Sequence, residues 1–406
     1  MNIHHKRYLI TWPSRIKLLP CIFAILAAYI QPSVALEASV SGYARLVSGI
    51  LDDSHVRYHG YDDQLTFDQD SLIGLQTQLK ISEHLSATAL GVAHSNSDLD
   101  SGIEWLYFNY RPSSNIQIKM GQMRTPFYSK SDVLNVGYAY PWVIAPKELY
   151  NGYIFDEFQG IDVRYNYSTQ KYSAFVEAYY GEFDGDISSN DTQISAQVDQ
   201  LQGLIGELKS GPFNFRISYH EGDASLELQL EELASNIQLA GFEKTANSLE
   251  PDGPVEFYQL GFEYDSLNYF LFSEWTKIKP KQIIFPEITS YYLTLGKYIN
   301  DLTFLITYGY RGDDLEDKIN EIPSGISSDL DQLSLVYQMV FDGRQESDIS
   351  SWTLGVRWDV RYDTALKAEF KNIQAKQDNT STFSVDEGES FDNESNILLF
   401  GLEWVF

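Results

Sequence analysis

The sequence predicts an all-β protein: a transmembrane, antiparallel, up-and-down β-barrel of about sixteen strands with one long inward-folded constriction loop. Three observations carry that prediction. Apolar and polar residues alternate with period 2 in segment after segment, the mark of strands with two unlike faces. The segments run to about 10–13 residues, longer than the roughly 5–6 typical of soluble sheets and suited to crossing a bilayer at a tilt. The connections between them are alternately short and long.

The chain opens on an export pattern. Lys6, Arg7, Arg15 and Lys17 supply basic charge, "LLPCIFAILAAYI" (18–30) supplies an apolar run, and Ser33-Val34-Ala35 supplies a small-residue cleavage site. Residues 1–35 are therefore expected to be a signal peptide cleaved after Ala35. The apolar run is shorter than the roughly 20 residues a spanning helix needs. Cys21 precedes most of that run, the wrong order for a lipidated cysteine, and leaves with the signal. The rest of the chain, 36–406, is read as a single barrel domain without cysteine, which excludes disulfides and thiolate metal sites.

Removing four basic residues with the signal leaves 25 Lys+Arg against 57 Asp+Glu, a net charge of −32. Nucleic-acid binding needs a basic surface, so that class of partner is excluded. No second apolar run reaches 18 residues, so membrane crossing by helices is excluded too.

The clearest alternation is "SWTLGVRWDVRYD" (351–363). One parity carries Trp352, Leu354, Val356, Trp358, Val360 and Tyr362; the other carries Thr353, Gly355, Arg357, Asp359 and Arg361. "TALKAEFKN" follows after a tight turn with Leu366, Ala368 and Phe370 on one face and Lys367, Glu369 and Lys371 on the other. Strands are predicted over 38–50, 71–82, 85–95, 102–111, 115–124, 158–168, 171–183 and 200–209. The second half adds 212–222, 254–265, 268–278, 288–299, 302–312, 350–362, 364–375 and 394–406. Short turns fall at 83–84, 112–114, 169–170, 211, 266–267, 300–301 and 363.

Seven short turns and eight long loops are what sixteen strands require when both chain ends lie on one side. In hydrocarbon every backbone polar group must be paired, and a sheet achieves this only by closing on itself. An even strand number with short turns on one side describes bacterial outer-membrane barrels, and Trp or Tyr bounds the apolar faces as a lipid boundary favours. A secreted sandwich or propeller is the alternative, but neither demands such loop asymmetry.

The chain at this point resembles the Gram-negative outer-membrane porin superfamily, the trimeric sixteen-stranded porins, over its whole length after the signal. "SVSGYARL" (39–46) resembles the first strand of those porins, and "IQIKMGQMRTPFY" (116–128) is similar to their fifth strand and its exit into the third long loop. Porins often place Arg directly after the glycine; here Gly121 is followed by Gln122, and Arg124 comes two places later. The resemblance implies residence in the Gram-negative outer membrane, a homotrimer, and a water-filled channel for passive diffusion of small hydrophilic solutes or ions.

If the apolar parity faces lipid, the other lines water and its charges select solutes. The inward basic set is then Arg45, Lys80, Lys119, Arg124, Arg164, Lys209, Arg216, Arg311, Arg357, Arg361, Lys367 and Lys371, with fewer acids at Asp162, Glu207, Asp359 and Glu369. An anion-preferring channel is the alternative these bases raise, while the net charge argues the other way. Residues 125–157 are too aromatic and apolar for a loop waving in water, so this segment is expected to fold into the barrel and narrow it. Asp132, Glu148, Asp156 and Glu157 are its candidate acids facing the basic wall, with pairing to Lys130 and Lys147 as the competing arrangement.

The remaining long loops are rich in acids ("GYDDQLTFDQD", "FDGDISSND", "GDDLEDKINE", "DEGESFDNES"). Such carboxylates could bind divalent cations shared with lipopolysaccharide phosphates, but their spacing is loose compared with a calcium loop, so no metal site or cofactor is assigned and a solvated face is the favoured reading. "LELQLEELASNIQLAGF" (226–242) reads as an amphipathic helix. Neither G-x-S-x-G nor H-E-x-x-H occurs, so a barrel hydrolase is disfavoured and no catalytic residue is assigned. A structural or adhesive barrel is the third class weighed. At the C-terminus, "NILLFGLEWVF" places Leu398, Phe400, Leu402, Trp404 and Phe406 toward lipid and Glu403 inward. An alternating end on Phe resembles the signal read by the barrel-assembly machinery, a partner during biogenesis beside outer-membrane lipid, lipopolysaccharide and small polar solutes.

Overall fold

Sixteen long strands close into one antiparallel barrel in the computed structural model, which describes residues 37–97, 99, 101–151, 155–189, 192–344, 346–376, 382–386 and 388–406. The expected signal peptide, its cleavage site and Cys21 lie outside these residues. In chain order the barrel strands are β1 (Glu37–Leu51), β3 (Leu72–Lys80), β4 (Leu85–His94), β5 (Gly102–Tyr110), β6 (Ile116–Arg124), β7 (Glu157–Ser168), β8 (Tyr172–Ser189) and β9 (Thr192–Ser210). They continue as β10 (Phe213–Leu226), β11 (Gly253–Asp265), β12 (Tyr269–Pro280), β13 (Glu287–Ile299), β14 (Leu302–Asp314), β15 (Asp348–Arg361), β16 (Thr364–Ala375) and β18 (Glu394–Val405). Each pairs with its sequence neighbour, and β1 pairs with β18 from Tyr43↔Val405 to Leu51↔Ile397, so no edge is left open.

The two parities separate as the alternation requires. Leu46, Leu75, Val176, Leu204, Ile217, Leu260, Leu293, Leu354 and Phe400 project from the outer face. Tyr110, Tyr167, Tyr172, Tyr269, Trp358 and Trp404 ring it near the short turns, and Tyr180, Tyr258, Tyr291 and Trp352 ring it near the long loops. Two aromatic bands about an apolar belt are the arrangement a bilayer favours.

The differences from expectation lie beyond the belt. The fourth long loop is mostly strand, because β8 and β9 run to 18 and 19 residues and pair out to Ser189↔Thr192. At about 3.4 Å per residue such arms reach roughly 60 Å, well past any hydrocarbon core. The expected helix at 226–242 is instead α2 (Glu231–Leu239) followed by α3 (Glu243–Asn247), since Leu226 still belongs to β10. The seventh loop, read as solvated acid, holds α4 (Ser328–Asp342), capped by the Ser327 hydroxyl accepting from the Leu330 amide. Tyr337 and Phe341 of α4 pack with Ile237, Ala246 and Leu249 into a small separate core. β2 (Val56–Tyr58) and β17 (Phe383–Val385) join the first and last long loops in a two-stranded sheet.

Candidate functional site

The segment between β6 and β7 begins and ends at one neck, where the Thr125 amide donates to the Asp156 carbonyl at 2.9 Å. Gly121, just before it, has φ +139°, a backbone that a side chain rarely adopts, and an added Cβ would meet the Leu106 carbonyl. There β6 runs close against Leu106 and Tyr107 of β5, and its pairing with β7 continues to Arg124↔Glu157 before the chain leaves the wall. Short helical turns at Ser131–Val133, Gly137–Ala139 and α1 (Lys147–Tyr150) satisfy part of its backbone. Inward-facing wall side chains satisfy much of the rest.

Lys367 on β16 donates to three carbonyls, Gly137 at 2.6 Å, Tyr140 at 2.9 Å and Trp142 at 2.7 Å. Arg45 on β1 donates to the Val143 carbonyl at 2.5 Å, and the Val143 amide donates to Glu369 at 2.9 Å. Arg216 on β10 holds the Pro126 and Phe127 carbonyls at 2.6 and 3.3 Å. Arg357 on β15 donates to the Tyr138 and Tyr140 carbonyls at 2.8 and 3.0 Å. Trp142 donates its indole N–H to Thr294 and Thr307 at 3.1 Å each, and Glu274 accepts from the Ser129 amide and the Tyr150 hydroxyl at 2.8 Å each. The Tyr138 hydroxyl reaches the Tyr362 carbonyl, at the short-turn end, at 2.8 Å.

Apolar packing completes the fit. Phe127, Tyr128, Tyr140, Trp142 and Tyr150 of the segment pack with Phe158, Phe257, Phe270, Phe272 and Tyr292 from the wall. Trp142 meets Tyr292 edge-on at 5.4 Å, and Phe127 stacks on Phe257 at 5.1 Å. These inward aromatics were not assigned from sequence. The signal was present in "YFLFSEW" (269–275), where Phe270 and Phe272 sit on the inward parity of a strand whose outward parity is also apolar; one such face must meet protein rather than water.

Five of the bases assigned to a water-lined wall are corrected by these contacts. Arg45, Arg124, Arg216, Lys367 and Lys371 are each no more than 8 % exposed. The segment displaces water from them, and they hold it through carbonyls and carboxylates. Arg164 lies at the inner face beside Glu177, Lys119 lies 3.8 Å from Asp162, and Arg311 pairs with Asp313 at 2.9 Å. Lys209 pairs with Glu207 at 3.2 Å, and Arg357 with Asp359 at 2.7 Å. Lys80 meets Glu37 at 3.8 Å at the rim, and Arg361 is exposed where β15 ends.

The four segment acids go to different places. Glu148 meets Lys371 at 2.7 Å, Asp156 meets Arg124 at 3.0 Å, and Glu157 accepts from Gln122 at 2.6 Å. Asp132 is exposed and bonded to no described residue. The competing arrangement does not occur: Lys130 pairs with Glu263 at 2.6 Å and Lys147 with Asp70 at 3.1 Å. Among the described residues, two of the chambers beside the segment are bordered by Asp132. One, of about 440 Å³, lies against β7–β10; the other, of about 260 Å³, lies against β1, β3, β4 and β5.

Two loop carboxylates tie segment docking to pH. Burial alone would raise Glu148, but the Lys371 ammonium overrides it and holds the carboxyl below the ordinary 4.5. Burial likewise acts on Asp70, and Lys147 with Arg45 brings it below 3.8. A depressed carboxyl stabilises the docked form above its ordinary value and loses that contribution as pH falls through the depressed one. The contribution of Glu148 and Asp70 to docking should therefore be complete at neutral pH and fall away below about 4.5, read in bilayers as a conductance that rises there as the segment loosens. A conductance that stays unchanged down to about pH 3 would contradict this account.

No known family profile matches the sequence, and no curated protein matches it. Solved structures do match. A loop L8 deletion mutant of OmpT, an outer membrane protein of Vibrio cholerae, superposes with TM-score 0.55 at 11% identity, over 92% of this chain and 100% of that one. The anion-selective porin from Comamonas acidovorans gives 0.53 at 11% identity, over 92% and 100%. Salmonella typhi OmpF in complex with daunomycin gives 0.56 at 11% identity, over 91% and 97%. Likeness at these identities is likeness of fold, the sixteen-stranded barrel that the pairing also gives.

Proposed function

We propose that this chain, which has the sixteen-stranded barrel fold of outer-membrane porins, acts as one: a channel in the Gram-negative outer membrane through which small hydrophilic solutes or ions diffuse passively. The observation that carries the proposal is the inversion of polarity, an apolar aromatic-banded outside around an inside of charged groups and chambers. At sixteen strands a barrel is too wide for its own wall side chains to fill. Segment 125–157 is then the constriction loop, and Asp132 the acid it presents to solutes.

The channel is read as cation-preferring rather than anion-preferring. Arg45, Arg124, Arg216, Lys367 and Lys371 are buried against the segment, Arg45 and Lys367 beside Glu403, Arg124 beside Asp156 and Lys371 beside Glu148, so they offer little to a passing anion. The acidic loops add a field at the mouth that concentrates cations. In a planar bilayer under a KCl gradient, discrete conductance with a reversal potential of cation sign is expected. Absence of conductance would overturn the channel, and an anion-signed potential would restore the anion-preferring alternative.

No covalent chemistry is proposed. Ser218 and His220 lie 2.8 Å apart, an arrangement that in an open cleft would raise a hydrolase reading. They are 4% and 1% exposed, with Phe127 and Phe257 against the imidazole, so no substrate reaches the hydroxyl. The same proposal includes export through residues 1–35, homotrimeric assembly, recognition of the C-terminal strand by the barrel-assembly machinery, and contact with lipopolysaccharide.

A further inference from the structure

Four cations on the short-turn rim have no carboxylate among the described residues. Arg111, Lys171, Lys297 and Arg361 are exposed, and none forms a side-chain hydrogen bond or ion pair with a described residue. Arg111 follows β5, Lys171 precedes β8, Lys297 is two residues from the end of β13, and Arg361 ends β15, so all four lie at one end of the barrel. At the long-loop end every described lysine and arginine is matched. Lys244 lies 3.0 Å from Glu321, Lys277 2.6 Å from Glu287 and Lys318 2.6 Å from Asp342, while Arg344 is held by the Phe341, Ile283 and Glu316 carbonyls. In so acidic a chain, unmatched cations confined to one end call for an anion from outside the protein.

Each of the four stands beside an exposed tyrosine. Tyr110 and Tyr362 adjoin Arg111 and Arg361 in the chain, and Tyr172 follows Lys171. Lys297 faces Tyr269 across the strands, its ammonium 5.3 Å from the ring centroid. A tyrosine at the lipid boundary keeps its ring among acyl chains and its hydroxyl among headgroups. A lysine or arginine beside it lays its stem on apolar surface and lifts its charge to the same level. Together they present two donors, one of them charged, and that is what a phosphodiester oxygen accepts from. The acids of the short turns, Glu83, Asp265, Asp301 and Asp363, pair with none of these cations. Asp265 instead accepts from the Tyr298 hydroxyl at 3.1 Å, and Asp363 from the Thr364 hydroxyl at 2.9 Å.

We propose that these four pairs of cation and tyrosine dock anionic phospholipid headgroups of the inner leaflet, one phosphodiester to each pair. The inference rests on the outer-membrane reading, which sets the short turns on the periplasmic side. Phosphatidylglycerol, with one net negative charge, matches a lone cation. Phosphatidylethanolamine carries its own ammonium group and so gains less. The long-loop end offers a phosphate no unmatched cation among the described residues, so the two rims of the barrel differ in the lipid they take.

Native mass spectrometry of the detergent-folded barrel tests this, with palmitoyl-oleoyl phosphatidylglycerol and its phosphatidylethanolamine counterpart offered at equal concentration. Phosphatidylglycerol should be retained about fivefold more, the factor that corresponds to ~1 kcal/mol for a basic side chain near an anionic surface. R111Q/K171Q/K297Q/R361Q should remove the preference, and the pairs R111Q/K171Q and K297Q/R361Q should each lower it. None of these changes removes a hydrogen bond or ion pair to a described residue, and heat-modifiable gel migration verifies folding. K244Q/K376Q, at the opposite rim, should keep the preference. Equal retention of the two lipids by the unaltered barrel, a fourfold variant that still prefers phosphatidylglycerol, or loss of the preference in K244Q/K376Q overturns the docking. KCl conductance separates the two claims: a conducting barrel without the preference refutes the docking alone, and a barrel with the preference that carries no current refutes the channel alone.

Discussion

Replacing Lys367 by methionine should open the barrel without unfolding it. The ammonium is buried, donates to three carbonyls of the segment, and lies 3.8 Å from Glu403. Methionine keeps most of the volume but leaves the Gly137 and Trp142 carbonyls without their donor and the 1% exposed Glu403 with Arg45 alone, at 3.5 Å. Breaking a buried pair from one side costs about 3–5 kcal/mol. The strand ladder does not depend on Lys367, so the cost falls on the docked segment, and residues 137–143 should leave the wall. Single-channel conductance should rise several-fold and the segment should become cleavable by protease, while the barrel retains its heat-modifiable migration. Wild-type conductance in K367M would mean that aromatic packing alone holds the segment and that the charge contacts are dispensable.

Deleting Phe406 should lower the amount of assembled barrel several-fold while leaving export and processing of the chain intact. The residue closes the sheet: its amide donates to the Gly42 carbonyl at 2.9 Å, and its carbonyl accepts from the Gly42 amide at 2.7 Å. Its ring lies over Gly42, where a Cβ would collide with it, and packs against Trp404 at 4.6 Å. Those contacts act at the seam between β1 and β18, the last pairing a closing barrel can make. Quantifying the heat-modifiable form in outer-membrane fractions reads the effect. Unchanged levels would reduce Phe406 to an ordinary closing residue and remove the assembly-signal reading.

β12, with two inward phenylalanines, shows where reading the chain reached its limit. Phe270, Phe272, Glu274 and Thr276 share one parity of the strand, and all four are buried. The pattern did not say that Phe270 and Phe272, on the inward parity, meet Trp142 and Tyr298 rather than water. The same holds for Lys371. Its parity follows from "LKAEFK", but its partner Glu148 lies on a four-residue helix that no local pattern announced. α4 was hidden for a related reason: the acidic run before it reads as solvated loop, and its apolar face becomes intelligible only against α2 and α3.

What the amino-acid order alone determined was the wall: sixteen alternating segments, their short turns, the outward belt and its aromatic limits. Each of these depends on neighbours within one strand or across one tight turn, and so is written in local periodicity. Only the tertiary structure decided which inward charges are sealed and which still face a chamber. That choice is made by contacts between residues 98 apart for Arg45 and Val143, and 230 apart for Lys367 and Gly137. A lysine bound to three carbonyls and a lysine facing water occupy the same parity of the same pattern, and burial by a distant segment is the physical difference between them.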